Sequence, residues 1–391
     1  MPWSTSFSQP RRLYVGAFSL RAGKLKEKSL DELMMARAIS LARRGAAWVA
    51  PNPMVGAVVV KDGQIVGDGY HRRFGGPHAE VHALRKSGKQ ANGATLYVNL
   101  EPCCHYGKTP PCTDRILEAG IVKVYAAIED PNPEVNGKGF AKLREAGVKV
   151  EVGLMATEAE ELNLPYLKKA ATGMTWITLK IAQSLDGRIA SVTGHSQWIS
   201  GKKSQRYAHL LRATHDAILV GIGTVNTDDC SLTVRHVSGR NPIRIVLDSH
   251  FSIDPECKLL NNPDDAPTWV FGLEGENDPD WSNRPNVRLF KTRPDEGRVD
   301  LGEVHRILSE LGVGSLLVEG GSHVWTSFLD RDLVDKVEVI VAPMLIGTGI
   351  EAINNLGILK VHDAIRLQPI QWRKIGDDLH IAARVLHSEK S

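Results

Sequence analysis

Long apolar runs are missing from this chain. The longest, such as Val55 to Val60 and Ile218 to Val220, are strand-length and far too short to cross a bilayer. Cysteine is scarce as well, with five among 391 residues, at 103, 104, 112, 230 and 257. Three of these fall within ten residues, which argues against a disulfide framework and for a reducing cytoplasm. Neither sign of charge is in excess. A formal net charge of +3 gives no reason to expect a polyanion, and there is no concentrated basic and aromatic track for a nucleic-acid strand. No repeat and no GxGxxG fingerprint is found, so no Rossmann domain is assigned. Residues 1–30 hold six Lys/Arg against the single acid Glu27, without an extended apolar core. That argues against a secretory signal and reads as a flexible basic extension, with an organellar targeting peptide as the lesser alternative.

What is present is an ordinary globular balance, 42% hydrophobic and 24% charged, in a chain long enough for two domains. Helical spacing runs over 31–44, and Val55 to Val60 predicts a strand followed by an Asp62-Gly63 hairpin turn. A helix over 79–86, a strand over 95–99, a helix over 113–118 and a strand over 123–127 follow, with a further helix over 137–146. The segment 156–170 reads as a closing helix, and Trp176 to Ile181 opens a new strand. We therefore expect one α/β domain over 31–172 and a second over 173–391. The stretch 273–299, dense in Pro, Asp, Asn and Gly, reads as a variable surface region.

Chemistry concentrates first at His78-Ala79-Glu80, Pro102-Cys103-Cys104 and Cys112. One imidazole and two thiolates can hold zinc and leave a corner for water, whose pKa the metal lowers from 15.7 toward about 7. Glu80, two residues past His78, can move that water's proton without occupying the metal. A purely structural site is the rival reading and needs a fourth donor, for which His82 and Cys104 are the candidates.

Pro51-Asn52-Pro53-Met54-Val55-Gly56-Ala57, Gly76-Pro77-His78-Ala79-Glu80 and the run from Glu101 to Cys112 carry a specific resemblance. The chain resembles the bifunctional riboflavin-biosynthesis deaminase–reductases, whose first half is cytidine-deaminase-like. That resemblance implies Zn2+ on His78, Cys103 and Cys112, with Glu80 as the proton carrier. It also implies a substrate that is a diaminopyrimidinone bearing a ribosylamino 5′-phosphate. Asn52, His105 and Lys108 are candidate substrate contacts, although Asn52 also fits a plain turn and Lys108 a solvated lysine. Cys104 departs from the serine usual in the family.

The second cluster comprises Lys180 to Ala190, Ser196-Gln197-Trp198-Ile199-Ser200, His209-Leu210-Leu211-Arg212, Gly221 to Val225, Asp228 to Arg235 and Val318-Glu319-Gly320-Gly321-Ser322. Taken alone, the first block is a hairpin; glycine beside hydroxyls after a strand suits a phosphate or dinucleotide. The blocks resemble the reductase half of the same family over roughly 176–384, which implies a dihydrofolate-reductase-like fold and NADPH. On that resemblance Ser196, Arg212, Leu232, Arg235 and Glu319 hold substrate. Lys180, Ser184, Trp198, Ser200, Thr224, Asp228, Gly320 and Gly321 line the cofactor cleft. Trp198 also fits a core position, and Cys230 replaces the usual proline. The expected activity is deamination of the pyrimidine followed by NADPH-dependent reduction of ribosyl to ribityl, in a homo-oligomer. A deaminase with an inactive reductase-like half is the alternative.

Overall fold

Alternating apolar strands that are covered on both faces organise each half of the chain. The computed structural model describes residues 29–106, 110–262 and 266–387. The basic extension lies outside these up to residue 28, and so does Lys108. Helix α1 (Leu30–Ala42) starts on a reciprocal cap, in which the Ser29 hydroxyl accepts from the Glu32 N–H and the Glu32 carboxylate accepts from the Ser29 N–H. Then come β1 (Gly56–Lys61), β2 (Gln64–Tyr70), α2 (Ala79–Ser87), β3 (Thr95–Val98), α3 (Cys112–Glu118), β4 (Lys123–Ala126), α4 (Lys138–Glu145), β5 (Lys149–Val152) and α5 (Ala156–Thr172). The sheet order is β2-β1-β3-β4-β5, antiparallel as far as β3 and parallel beyond it. β1 shows why its valines run without interruption: Ala57 and Val59 enter one core, Val58 and Val60 the other. The charged residues of β5 conceal a strand that the sequence pattern does not predict.

The second half runs β6 (Trp176–Ser184), β7 (Arg188–Ser191), α6 (Lys202–Thr214), β8 (Ala217–Gly221), α7 (Ile222–Asp228), β9 (Ile243–Leu247), α8 (Lys258–Asn261) and β10 (Thr268–Leu273). β11 (Val287–Thr292), β12 (Pro294–Asp295), β13 (Arg298–Val299), α9 (Leu301–Glu310), β14 (Ser315–Val318) and α10 (Ser322–Asp330) follow. The chain then closes with β15 (Lys336–Ala342), β16 (Gly349–Glu351), β17 (Arg366–Ile375) and β18 (Asp378–Leu386). Nine strands form one sheet in the order β11-β10-β9-β8-β14-β6-β15-β18-β17. Its strands are parallel up to β15, and β18 and β17 are added antiparallel.

Two sequence expectations are corrected here. The 273–299 stretch is not only surface, because β11 pairs in parallel with β10 and forms a sheet edge. Nor do β6 and β7 make a hairpin, since both edges of β6 are occupied by β14 and β15, and β7 pairs with β16 instead. Among the described residues, no helix is long and apolar enough to cross a membrane.

Candidate active sites

Close packing of α2 on β2 sets the first site. A Cβ at Gly67 would lie 2.3 Å from the Ala83 carbonyl oxygen, and one at Gly69 2.5 Å from the His82 Cβ, so only glycine lets the helix approach. His78 occupies the position before the first turn of α2, and Cys112 opens α3 beside it. His78 Nδ1 lies 3.3 Å from Cys112 Sγ and 3.5 Å from Cys103 Sγ, and the three donor atoms all fall within 4.8 Å of one another. Among the described residues no fourth His, Cys, Asp or Glu joins them. The Cys104 thiol turns away to the Glu134 carbonyl at 3.6 Å, and His82 stands outside the group, so neither closes the site.

A hydrogen bond with the Cys112 thiol, outweighing burial and helped by His78, holds the Cys103 thiol down at about 4. The Cys112 N–H also donates to Cys103 Sγ at 3.3 Å. One imidazole and two thiols, one of them already a thiolate, fit a zinc ion with one corner unfilled. Glu80 is 3% exposed, and its Oε2 has no hydrogen-bond partner. Burial pushes its carboxyl up, against the nearby His78. An unpartnered buried carboxylate oxygen is costly, and its place beside these donors suits a group that receives protons during turnover.

His78, Glu80 and Cys103 line a cavity of about 320 Å³ together with Asn52, His71, His105, Asp130, Asn132 and Tyr166. Pro77 O can only accept, so His71 Nδ1 carries the hydrogen of their 3.0 Å bond. Burial holds the ring neutral, which leaves His71 Nε2 as acceptor for the Asn52 amide NH2 at 3.1 Å. The Asn52 oxygen is thereby left as an acceptor. Lys108 lies outside the described residues, while His105 lines the cavity with a buried, unpartnered Nδ1.

Sequence reasoning missed His71, Glu101, Asp130, Asn132 and Tyr166. The buried Glu101 carboxylate accepts from the N–H groups of Asp130, Gly137 and Phe140 at 3.2, 3.0 and 3.2 Å and anchors the β4–α4 loop. A signal for that loop existed: Asp130-Pro131-Asn132-Pro133 sets polar residues against prolines beyond a parallel strand, where α/β sheets bind ligands.

The second site gathers at the ends of β6, β8 and β14. Arg212 on α6 makes a two-pronged bond to Glu319, Nε–Oε1 3.0 Å and Nη2–Oε2 2.7 Å, and Nη1 donates to the Thr233 carbonyl at 3.3 Å. Arg212 is therefore matched inside the protein rather than left open as half of a phosphate clamp. Lys180 stands half-buried near the same carboxylate, where burial lowers its ammonium against the pull of Glu319. Burial would raise Glu319, but Arg212 and Lys180 together hold it down at about 2. Arg235 is exposed, and its N–H donates to His209 Nδ1 at 3.2 Å. Burial and the nearby Arg212 keep His209 low, at about 4, so the ring is a neutral acceptor there.

Thr224 and Asp228 lie on α7, whose preceding residue is Gly221, and Gly320-Gly321 join β14 to α10. Because β8 and β14 are neighbours, two strand–glycine–helix turns stand side by side. A Cβ on Gly321 would enter open space, leaving a bare cradle of the kind a dinucleotide phosphate fills. Ser196, Trp198 and Ser200 sit on the loop before α6, and Trp198 is 73% exposed, which removes its core reading. Ser184 is turned inward, donating to Asp186 at 2.5 Å and accepting from the Arg188 N–H at 2.9 Å. Leu232 is buried with φ 53° and contributes backbone shape there.

The model of the cytidine and deoxycytidylate deaminase zinc-binding region matches residues 28–128, and that of the RibD C-terminal domain matches 175–381. The riboflavin biosynthesis protein RibD of Aquifex aeolicus is 42% identical over 355 residues, covering 90% of this chain and 98% of its own length. The chain belongs to the RibD family. RibD of Escherichia coli is likewise 42% identical, over 363 residues, with 89% and 98% covered. Acinetobacter baumannii RibD superposes with a TM-score of 0.83 at 36% identity, covering 92% of this chain and 99% of that one. A Thermotoga maritima diaminohydroxyphosphoribosylaminopyrimidine deaminase/5-amino-6-(5-phosphoribosylamino)uracil reductase gives 0.79 at 36%, with 91% and 99% covered. The two halves are thus a RibD deaminase unit with a zinc-binding region and a RibD reductase unit with a dihydrofolate-reductase-like fold, which uses NADPH.

Proposed function

We infer that this chain catalyses two consecutive steps of riboflavin biosynthesis. It deaminates 2,5-diamino-6-ribosylamino-4(3H)-pyrimidinone 5′-phosphate, then reduces the ribosyl group of the product to ribityl. The observation that carries this reading is the convergence of His78, Cys103 and Cys112 beside Glu80, whose Oε2 is unpartnered, in a chain whose second half keeps the buried Arg212–Glu319 pair. We place the domain boundary at 172/173, supported by the end of α5 at Thr172 and the left-handed Gly173. A cytoplasmic location accords with the free cysteines.

Zinc held by His78, Cys103 and Cys112 supplies the Lewis acidity that makes a water nucleophilic at neutral pH. Glu80 takes one proton from that water and delivers it to the ring nitrogen, then carries the second from the added hydroxyl to the departing amine. Water enters, ammonia leaves, and the ring carbon keeps a carbonyl. Asn52, fixed by His71, presents its oxygen to a ring N–H, while Asp130 and Asn132 present further polar atoms. In the reductase unit NADPH, when bound, would supply the hydride for ribosyl reduction, with a proton from solvent completing the balance. Glu319 neutralises Arg212, so this pair shapes the cleft and leaves the phosphate to other donors. Arg235 provides an accessible guanidinium for the phosphate.

Arg235→Ala is expected to raise KM for the phosphorylated uracil about tenfold or more, in keeping with loss of a charge-assisted contact, while leaving KM for NADPH within about twofold. Steady-state kinetics with each ligand varied in turn checks this. Homo-oligomerisation is supported by β17, a sheet-edge strand with Ile370 60% and Trp372 72% exposed. The functional reading is tested by giving zinc-loaded protein the diaminopyrimidinone phosphate and NADPH, following ammonia, NADPH oxidation and product mass. Ammonia without NADPH oxidation would overturn the second step, and no ammonia would overturn the first.

A further inference from the structure

Helix α5 is not straight. Asn163 leaves helical geometry (φ −116°, ψ 15°), and Pro165 lacks the N–H that would continue the ladder. At the kink the buried Asn163 side chain clamps the backbone of Met54, its oxygen accepting from the Met54 N–H at 2.8 Å and its amide donating to the Met54 carbonyl at 3.0 Å. Met54 is two residues from Asn52, on one wall of the deaminase cavity. Three residues past Asn163, the Tyr166 hydroxyl lies 2.9 and 2.8 Å from the two oxygens of Asp130, on another wall.

Lys168 and Lys169, two and three residues further on, grip the reductase unit. Lys168 Nζ donates to both oxygens of Asp335 at 2.8 and 2.7 Å, and Asp335 Oδ2 also accepts from the N–H of Ile177 in β6 at 2.7 Å. Lys169 Nζ donates to the Ser309 carbonyl at 2.5 Å. A second cavity of about 60 Å³ lies between the units, lined by Asn52, Asn163 and Tyr166 on one side and by Asp216, Gly314 and Ser315 on the other. Asn52 and Tyr166 therefore border both the deaminase cavity and the seam.

We propose that residues 163–169 act as a strut through which the docked reductase unit sets the substrate-binding walls of the deaminase cavity, with Tyr166 and Lys168 as positioning residues. Tyr166 holds the Asp130 carboxylate in one orientation, and Lys168–Asp335 holds the turn that carries Tyr166. Neither residue moves a proton in the reaction or touches the zinc donors, so the strut acts on substrate affinity and not on the chemical step. This rests on the deaminase reading above.

The test uses the full zinc-loaded chain as wild type, Tyr166→Phe, Lys168→Met, Lys168→Arg and the double variant Tyr166→Phe/Lys168→Met. Ammonia release gives KM and kcat, metal analysis gives zinc content, and NADPH oxidation on the pre-deaminated uracil gives the reductase rate. Tyr166→Phe and Lys168→Met are each expected to raise the deamination KM about tenfold, the scale of losing a hydrogen bond to a charged group. In both, kcat, zinc content and the reductase rate stay within about threefold. Lys168→Arg restores the wild-type KM, and the double variant is no worse than Lys168→Met alone. An unchanged KM in Tyr166→Phe overturns the proposal even if Lys168→Met fails to fold. So does an unchanged KM in a folded Lys168→Met, or a double variant whose effects multiply. Wild-type protein that releases no ammonia would instead fault the functional reading, which separates the two failures.

Discussion

Glu80→Gln is expected to lower ammonia release by roughly a hundredfold to ten-thousandfold, the usual contribution of a positioned general acid–base group. Glutamine keeps the shape of the side chain, Oε2 has no hydrogen bond to lose, and the contact with the Cys112 thiol is one that an amide oxygen can also accept. What the amide cannot do is accept a proton and give it up again. His78, Cys103 and Cys112 are untouched, so zinc content stays at the wild-type level. The reductase unit is equally untouched, and NADPH oxidation on the pre-deaminated substrate continues. Ammonia assay, metal analysis and NADPH absorbance on one preparation separate proton transfer from coordination. Wild-type ammonia release in this variant would remove Glu80 from the mechanism.

Glu319→Gln is expected to abolish reduction and to destabilise the reductase unit by about 3–5 kcal/mol, the range for removing one partner of a buried ion pair. The carboxylate is the counter-charge for Arg212, which it binds through both oxygens, and for Lys180 beside it. Without it, the buried Arg212 guanidinium loses its two-pronged partner. The pH dependence follows from the same group. Its carboxyl sits at about 2 in the folded chain against an ordinary 4.5. A depressed folded value means that the stabilisation is fully present above about pH 4.5 and is lost as pH falls toward about 2, on the order of 3 kcal/mol. Thermal unfolding followed from pH 6 to pH 3 should show this loss in the wild type and a flatter profile in Glu319→Gln. Equal profiles would place the acid sensitivity elsewhere.

The two sites differ in how far the sequence exposed them. The zinc donors were legible because coordination demands particular atoms, and His78 and Cys112 stand at helix starts that local pattern predicts while Cys103 follows β3. Glu80 was legible by its offset from His78. His71 and Asp130 were not, because a single His after a strand or an Asp before a proline has many ordinary uses. Only the fold sets His71 against Asn52 and Asp130 against Tyr166, 36 residues apart in sequence. In the second unit Arg212 and Glu319 were found as residues, but their mutual bond, formed across 107 residues, was not foreseen.

By itself the sequence determined the chemistry on offer: a His-Cys-Cys donor set with an adjacent carboxylate, a second cluster rich in glycine and cations, and two α/β units to carry them. These are local properties, set by residue type and by spacing within one strand, turn or helix. Tertiary structure alone decided which charges neutralise each other, which side chains close the cavity, and that α5 touches both units. Those outcomes depend on pairings between distant segments, and β6 shows why local pattern cannot supply them. Its following turn favours a hairpin, yet both of its edges are already taken by strands more than a hundred residues away.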